Sequence, residues 1–203
     1  MFKKVIALTA ALFFSLSVFA VPQTYKKSTI GFEISNPLNL EWYSAEVREM
    51  ASAEAKKSSP DAPGMLLAMS YVDGPATGGF AVNYRDEFNK SKPLRYLMGT
   101  VVNVLEKRFP EGTNFIGDYE NIDIGGRPGI YYKIDANYDA VPDDIKPLHQ
   151  DVGHIWAAIH EDNLFFFQSG VRVSLEVKEA ERLQLLEKFE SAMKSTMETV
   201  KFY

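Results

Sequence analysis

Cysteine is absent from all 203 residues. The chain can therefore form no disulfide framework, thiolate nucleophile, Cys-ligated zinc module or lipid-modified cysteine. Basic charge is also short, with 22 Lys and Arg against 27 Asp and Glu, a net charge of -5 and a pI near 5.3. Binding to nucleic acid draws on a positive field that displaces counterions from phosphates, so no nucleic-acid partner is expected. Past the first twenty residues no apolar run approaches the roughly 20 residues that cross a bilayer as a helix, so the mature chain is expected to lack a transmembrane segment. The motifs of several enzyme classes are missing too. There is no Gly-x-Ser-x-Gly element, and Gly125-Gly126-Arg127-Pro128 is not followed by the Lys and Ser/Thr of a phosphate-cradling loop. Ser191 to Lys194 does spell Ser-x-x-Lys, but inside a helical pattern where a surface position is the simpler reading. No cofactor is expected.

What is present is enough apolar material for a core: 46% hydrophobic and 13% aromatic residues. The N-terminus, MFKKVIALTAALFFSLSVFA, places Lys3 and Lys4 before an apolar run that closes on Val18-Phe19-Ala20. Basic start, short apolar middle and small residues at the end are the marks of a secretory signal peptide over residues 1–20. Its removal leaves residues 21–203 as a single domain of net charge -7, large enough to fold without covalent staples. The expected location is the periplasm or the extracellular medium.

Thr29 to Ser35 alternates apolar and polar residues and stops at Asn36-Pro37, which reads as a strand. Glu41 to Lys57 places Tyr43, Val47, Met50 and Ala51 at helical spacing, with Ser58-Ser59-Pro60 as a stop. Gly64 to Val72 and Gly79 to Glu87 read as a hairpin around Asp73 to Gly78. Pro93 to Phe109 carries Leu94, Leu97, Met98, Val101, Val102 and Leu105 on one helical stripe. Phe115–Ile124, Pro128–Tyr138, His154–Glu161 and Leu164–Val173 then read as a four-stranded antiparallel meander. Val177 to Met197 closes the chain as an amphipathic helix whose core stripe includes Leu183, Leu186, Phe189 and Met193. Helices interspersed with a mainly antiparallel sheet place the chain in the α+β class as a layered sandwich.

The candidate chemistry gathers late in the sequence. Tyr131, Lys133 and Asp135 share one strand face opposite Ile130, Tyr132 and Ile134. With Trp156 they are candidate ligand-binding residues on a sheet surface. His149, Asp151 and His154 are a candidate metal set, with Asp143 or Asp144 as a further oxygen donor, although their spacing fits no diagnostic motif and two sheet-surface histidines beside an acidic loop explain it as well. The pairs Asp118/Glu120 and Asp143/Asp144 are candidates for a hydrolytic dyad. The loop from Tyr138 to Val152 offers a recognition surface.

Three stretches resemble the PsbP-like fold family, which includes a photosystem II accessory protein, DcrB-like periplasmic proteins and a eukaryotic Ran-binding import factor. They are Gly31-Phe32-Glu33-Ile34-Ser35-Asn36-Pro37, Gly126-Arg127-Pro128-Gly129-Ile130-Tyr131-Tyr132, and the pattern from His154 through Asn163-Leu164-Phe165-Phe166. The resemblance implies a three-layer α/β/α sandwich and a non-enzymatic accessory or binding role, with another exported protein or a small ligand as partner. DcrB-like members typically carry a lipid-anchoring cysteine, which this chain lacks, so membrane attachment does not carry over. The alternatives are a periplasmic hydrolase using acidic residues, with or without a metal, and a secreted effector or inhibitor that binds another protein. Export itself is directly testable. Intact mass and N-terminal sequencing of the chain recovered from its producing cells should show a start at Val21 outside the cytoplasm, not an intact Met1–Ala20 within it.

Overall fold

A computed structural model describes residues 24–36, 40–58, 63–86, 93–107, 109–117 and 119–203. The signal segment 1–20, the strand terminator Pro37 and the helix stop Ser59-Pro60 lie outside the described residues, as do the side chains of Leu97 and Leu105. The elements run β1 (Thr24–Lys27), β2 (Phe32–Ser35), β3 (Glu41–Trp42), α1 (Ala45–Ser58), β4 (Gly64–Asp73) and β5 (Ala76–Arg85) in the first part of the chain. They continue with α2 (Leu94–Glu106), β6 (Asn114–Ile116), β7 (Tyr119–Ile124), β8 (Arg127–Asn137), β9 (His149–His160), β10 (Asn163–Ser174), α3 (Glu179–Met197) and β11 (Lys201–Phe202). The fold is α+β, with all described strand pairs antiparallel.

The main sheet has the order β3-β4-β5-β10-β9-β8-β6, with β7 also paired to β8. Its central strands are sorted residue by residue between two cores, because side chains of a strand alternate in direction. Phe165 and Phe167 of β10, with Trp156 and Ala158 of β9, join a core shared with Leu186, Phe189 and Met193 of α3. Leu164 and Phe166, with Ile155 and Ala157, join a second core shared with Met98 and Val102 of α2. A small sheet of order β1-β2-β11 contributes Phe32 and Ile34 to the α3-side core.

Several boundaries differ from the sequence expectation, each for a local reason. The first strand does not begin at Thr29: residues 28–30 form a 3-10 turn, and Gly31, at φ +58°, breaks the extended chain before β2. A Cβ at Gly31 would stand 2.3 Å from the Tyr203 carbonyl oxygen, so this position needs glycine for space as well as conformation. Glu41 and Trp42 pair with Ser70 and Met69 as β3, and the helix starts only at Ala45. Trp42 stacks on Tyr25, with ring centroids 6.2 Å apart, and that tertiary contact outweighs helical spacing. Met50, which shares helical spacing with Val47 and Ala51, is 58% exposed.

Helix α1 instead guards the edge of the sheet. Arg48 donates to the Leu66 carbonyl, Ser52 Oγ accepts from the Met65 amide at 2.9 Å, and the Tyr43 amide donates to the Ala68 carbonyl at 2.9 Å. These groups occupy β4 main-chain positions that an intruding strand would otherwise use. The β4–β5 hairpin turns over Gly74-Pro75 alone, shorter than the six-residue turn read from composition. Phe115–Ile124 is two strands, β6 and β7, laid along successive parts of β8 on either side of Gly117. β9 starts at His149, five residues earlier than expected, which shortens the recognition loop to residues 138–148.

In α3 the buried face comprises Leu186, Phe189, Ala192, Met193, Thr196 and Met197, whereas Leu183 is 48% exposed and lies off the stripe assigned to it. Phe189 is fully buried. Phe189→Ala should therefore cost about 3–5 kcal/mol of stability. Leu183→Ala should stay within about 0.5 kcal/mol. Urea unfolding of the two variants checks both expectations, and equal losses would place the helix in the wrong rotation.

Candidate recognition surface

The sequence-predicted residues separate onto the two faces of the sheet. β8 and β9 align Tyr131 with Trp156, Lys133 with His154 and Asp135 with Val152, all directed toward α3. Tyr131, Lys133, Trp156 and His154 thus come together, with Asp135 half-buried further along the same face. The Tyr131 hydroxyl and His154 Nδ1 share a hydrogen bond of 2.7 Å. The two rings are nearly parallel, 5.9 Å apart, and His154 also stacks on Trp156 at 5.6 Å. Above them Lys133 donates to Glu190 of α3 at 2.9 Å.

This cluster is not the open binding surface read from the sequence. His154 and His160 are each 1% exposed, and neither is a sheet-surface histidine. Phe189 of α3 closes over His154, with ring centroids 6.1 Å apart, and His160 stacks on Phe202 at 5.0 Å. Burial pushes the His154 pKa down to about 4, against a raising influence from Glu190 and a smaller lowering one from Lys133. Burial likewise raises the Tyr131 hydroxyl, reinforced by Glu190 and Glu120. The result is a neutral aromatic stack capped by one ion pair, whose chemistry is packing.

His149 and Asp151 face the other way, on the α2 side of β9, so the three members of the candidate metal set do not converge. His149 Nε2 lies 3.0 Å from Asp151 Oδ2, and Arg172 Nε donates to Asp151 Oδ1 at 3.0 Å. Tyr138 donates its hydroxyl to Asp151 Oδ2. Burial alone would raise the Asp151 carboxyl; hydrogen bonds from His149 and Tyr138 and the charge of Arg172 reverse that and hold it below the ordinary carboxylate value. Burial, followed by the Asp151 carboxylate, drives the Tyr138 hydroxyl well above its usual range. Among the described residues no group of three His, Asp or Glu is placed to hold a metal ion. Of the candidate acid pairs, Asp118 lies outside the described residues, and Asp143 and Asp144 stand exposed in the loop.

What the Asp151 hub does is fasten the 138–148 loop to the sheet. Tyr138 is tied at one end, and the Leu175 amide donates to the Leu148 carbonyl at 2.9 Å at the other. Between them Val141 is buried at 3% exposure beside Ala136 and Tyr138, and its amide donates back to the Tyr138 carbonyl at 3.1 Å. The Ile145 amide closes a further turn onto the Pro142 carbonyl at 3.0 Å. Yet this anchored loop turns large apolar side chains outward: Leu148 is 76% exposed, Ile145 51%, and the adjoining Leu175 43%. The sequence signal for them was weak, since isolated apolar residues in a polar loop read as ordinary spacing.

A concavity of about 570 Å³ lies between β4 and α3, lined by Leu40, Glu41, Tyr71, Asp73, Lys188 and Ser191 among others. Two of its charged lining residues pair with each other, Lys188 donating to Asp73 at 2.6 Å.

No protein-family model matches the chain, and no curated protein matches it. Among solved structures it is similar to LpqN of Mycobacterium tuberculosis, described as involved in cell envelope biogenesis, at 13% identity over 84% of this chain and 82% of that one, with a TM-score of 0.44. It is also similar to the Ran-binding protein Mog1p of Saccharomyces cerevisiae, at 8% identity over 91% of this chain and 96% of that one, with a TM-score of 0.49. A protein of unknown function from Pseudomonas aeruginosa, PA94, aligns at 12% identity over 64% of this chain and 80% of that one, with a TM-score of 0.41.

The depressed His154 pKa gives the buried cluster a pH signature. The native imidazole stays neutral down to about pH 4, whereas the unfolded one takes up a proton below about 6.5. Its stabilising contribution is therefore complete above pH 6.5 and falls by about 1.4 kcal/mol per pH unit between 6.5 and 4. His154→Gln removes this titration. Urea unfolding at pH 7, 5.5 and 4.5 should show the gap between wild type and variant narrowing as the pH falls.

Proposed function

We propose that this chain is an exported, non-catalytic accessory or binding protein that recognises its partner through the 138–148 loop and the adjoining Leu175. The observation that carries the reading is the combination of anchoring and display. The loop is fixed by a buried valine and a four-residue polar hub, yet it holds Ile145 and Leu148 in water. Exposing large apolar side chains on an ordered loop costs hydration free energy with no return within the monomer, and such patches mark interaction sites. Pre-ordering also lowers the entropy lost on docking.

The wider assignment belongs to the same proposal. A three-layer α/β/α sandwich of the PsbP-like kind is supported by α2 and α3 packing on opposite faces of one antiparallel sheet. The non-catalytic part is supported by the burial of His154 and Trp156 beneath α3, with Tyr131 half-buried beside them. Export is supported by the Lys3-Lys4 start, the apolar run and the Val18-Phe19-Ala20 ending.

The test compares immobilised wild-type chain with Ile145→Asp/Leu148→Asp in quantitative capture from an exported-protein extract. Both positions are exposed, so the denaturation midpoint should hold while retention of the bound partner falls at least tenfold. An unchanged set of bound proteins would sink the assignment of this surface.

A further inference from the structure

The loop also carries information about what it meets. Asp143 and Asp144 immediately precede Ile145, Glu176 immediately follows Leu175, and all three carboxylates are exposed. Among the described residues none of them is in an ion pair. Of the basic side chains nearest in sequence, Lys146 is half-buried, Arg172 is engaged with Asp151, and Lys178 is exposed but is followed directly by exposed Glu179. The apolar centre is thus bordered by an excess of negative charge, Asp143, Asp144, Glu176 and Glu179 against Lys146 and Lys178, on a chain that is acidic as a whole.

Two kinds of surface could cover three exposed aliphatic side chains, a bilayer and a protein. A bilayer with anionic headgroups would be repelled by Asp143, Asp144 and Glu176, and insertion of Ile145 and Leu148 would bring the adjacent carboxylates toward the hydrocarbon boundary, where charge is costly. A protein surface with an apolar depression and a basic border meets both features at once, and the charge match would speed encounter and fix orientation. Resting on the recognition surface proposed above, we infer that its occupant is a basic polypeptide surface that receives Leu148, Ile145 and Leu175 at its centre and sets Lys or Arg against Asp143, Asp144 and Glu176.

The experiment places the photo-crosslinking residue benzoylphenylalanine at Leu148 of the full chain in the cells that make it. The same residue at Ala53, exposed on α1, is the control. The expected result is a polypeptide adduct formed from Leu148 and not from Ala53, attached at a stretch where Lys and Arg outnumber Asp and Glu. Its yield should fall at least tenfold in Asp143→Lys/Asp144→Lys and recover when the facing basic residues of the partner are changed to Glu. A lipid adduct, or a protein adduct indifferent to the charge reversal, overturns the basic-polypeptide inference. A protein adduct on a neutral or acidic stretch does the same while leaving the recognition surface standing. Absence of any adduct above the Ala53 control overturns both.

Discussion

β9 and β10 are covered on both faces over residues 155–158 and 164–167, and the rest of the molecule is arranged to satisfy that condition. Phe165 and Phe167 require cover on one side, Phe166 and Leu164 on the other, and a single helix cannot supply both. α3, with the small β1-β2-β11 sheet beside it, closes one face, and α2 closes the other over β8, β9 and β10. Burying a large aliphatic or aromatic side chain is worth about 1.5–3 kcal/mol, so this two-sided stack holds much of the driving force for folding. The neighbouring strands can then afford polar and small residues.

The same constraint decides the chemistry of the polar side chains. A residue's parity on β9 determines whether it faces α3 or the α2 side of the sheet. His154, at an even position, is sealed under Phe189 and kept neutral, while Asp151, at an odd one, keeps its charge because His149, Tyr138 and Arg172 converge on it. One buried group survives by losing its charge and the other by being surrounded with donors, the two general solutions for ionisable groups removed from water.

Much of this was legible in the residues. Alternation in Ile130-Tyr131-Tyr132-Lys133-Ile134 gave the correct partition of β8 between faces, and the consecutive aromatics Phe165-Phe166-Phe167 demanded cover on both sides. The helical stripe of α3 was right for Leu186, Phe189 and Met193 but wrong for Leu183, because Arg182, which donates to Gln150 of β9, and Leu185, which packs on the core, take the inward positions of that turn. β3 and β11, two residues each, have no period to read and exist only through their partners. At the site, proximity of His149, Asp151 and His154 in sequence concealed that strand parity sends them to opposite faces. The outward turn of Ile145 and Leu148 depends on the anchoring of Val141 and Tyr138, a tertiary fact without a local signature.

The pairing of β11 with β2 joins Phe202 to Phe32 and Lys201 to Glu33, so a strand near the start of the described chain is completed by almost the last residues. Contacts this far apart in sequence carry a large loop-closure entropy that is recovered only when the intervening structure is already in place. Along a growing or threading chain, Phe32 and Ile34 must wait for the final turn of α3 to arrive. Until then the face of β10 that carries Phe165 lacks the Phe202 ring that packs on it at 4.9 Å. Folding of the whole chain at once would suit such a topology better than piecewise folding from the N-terminus.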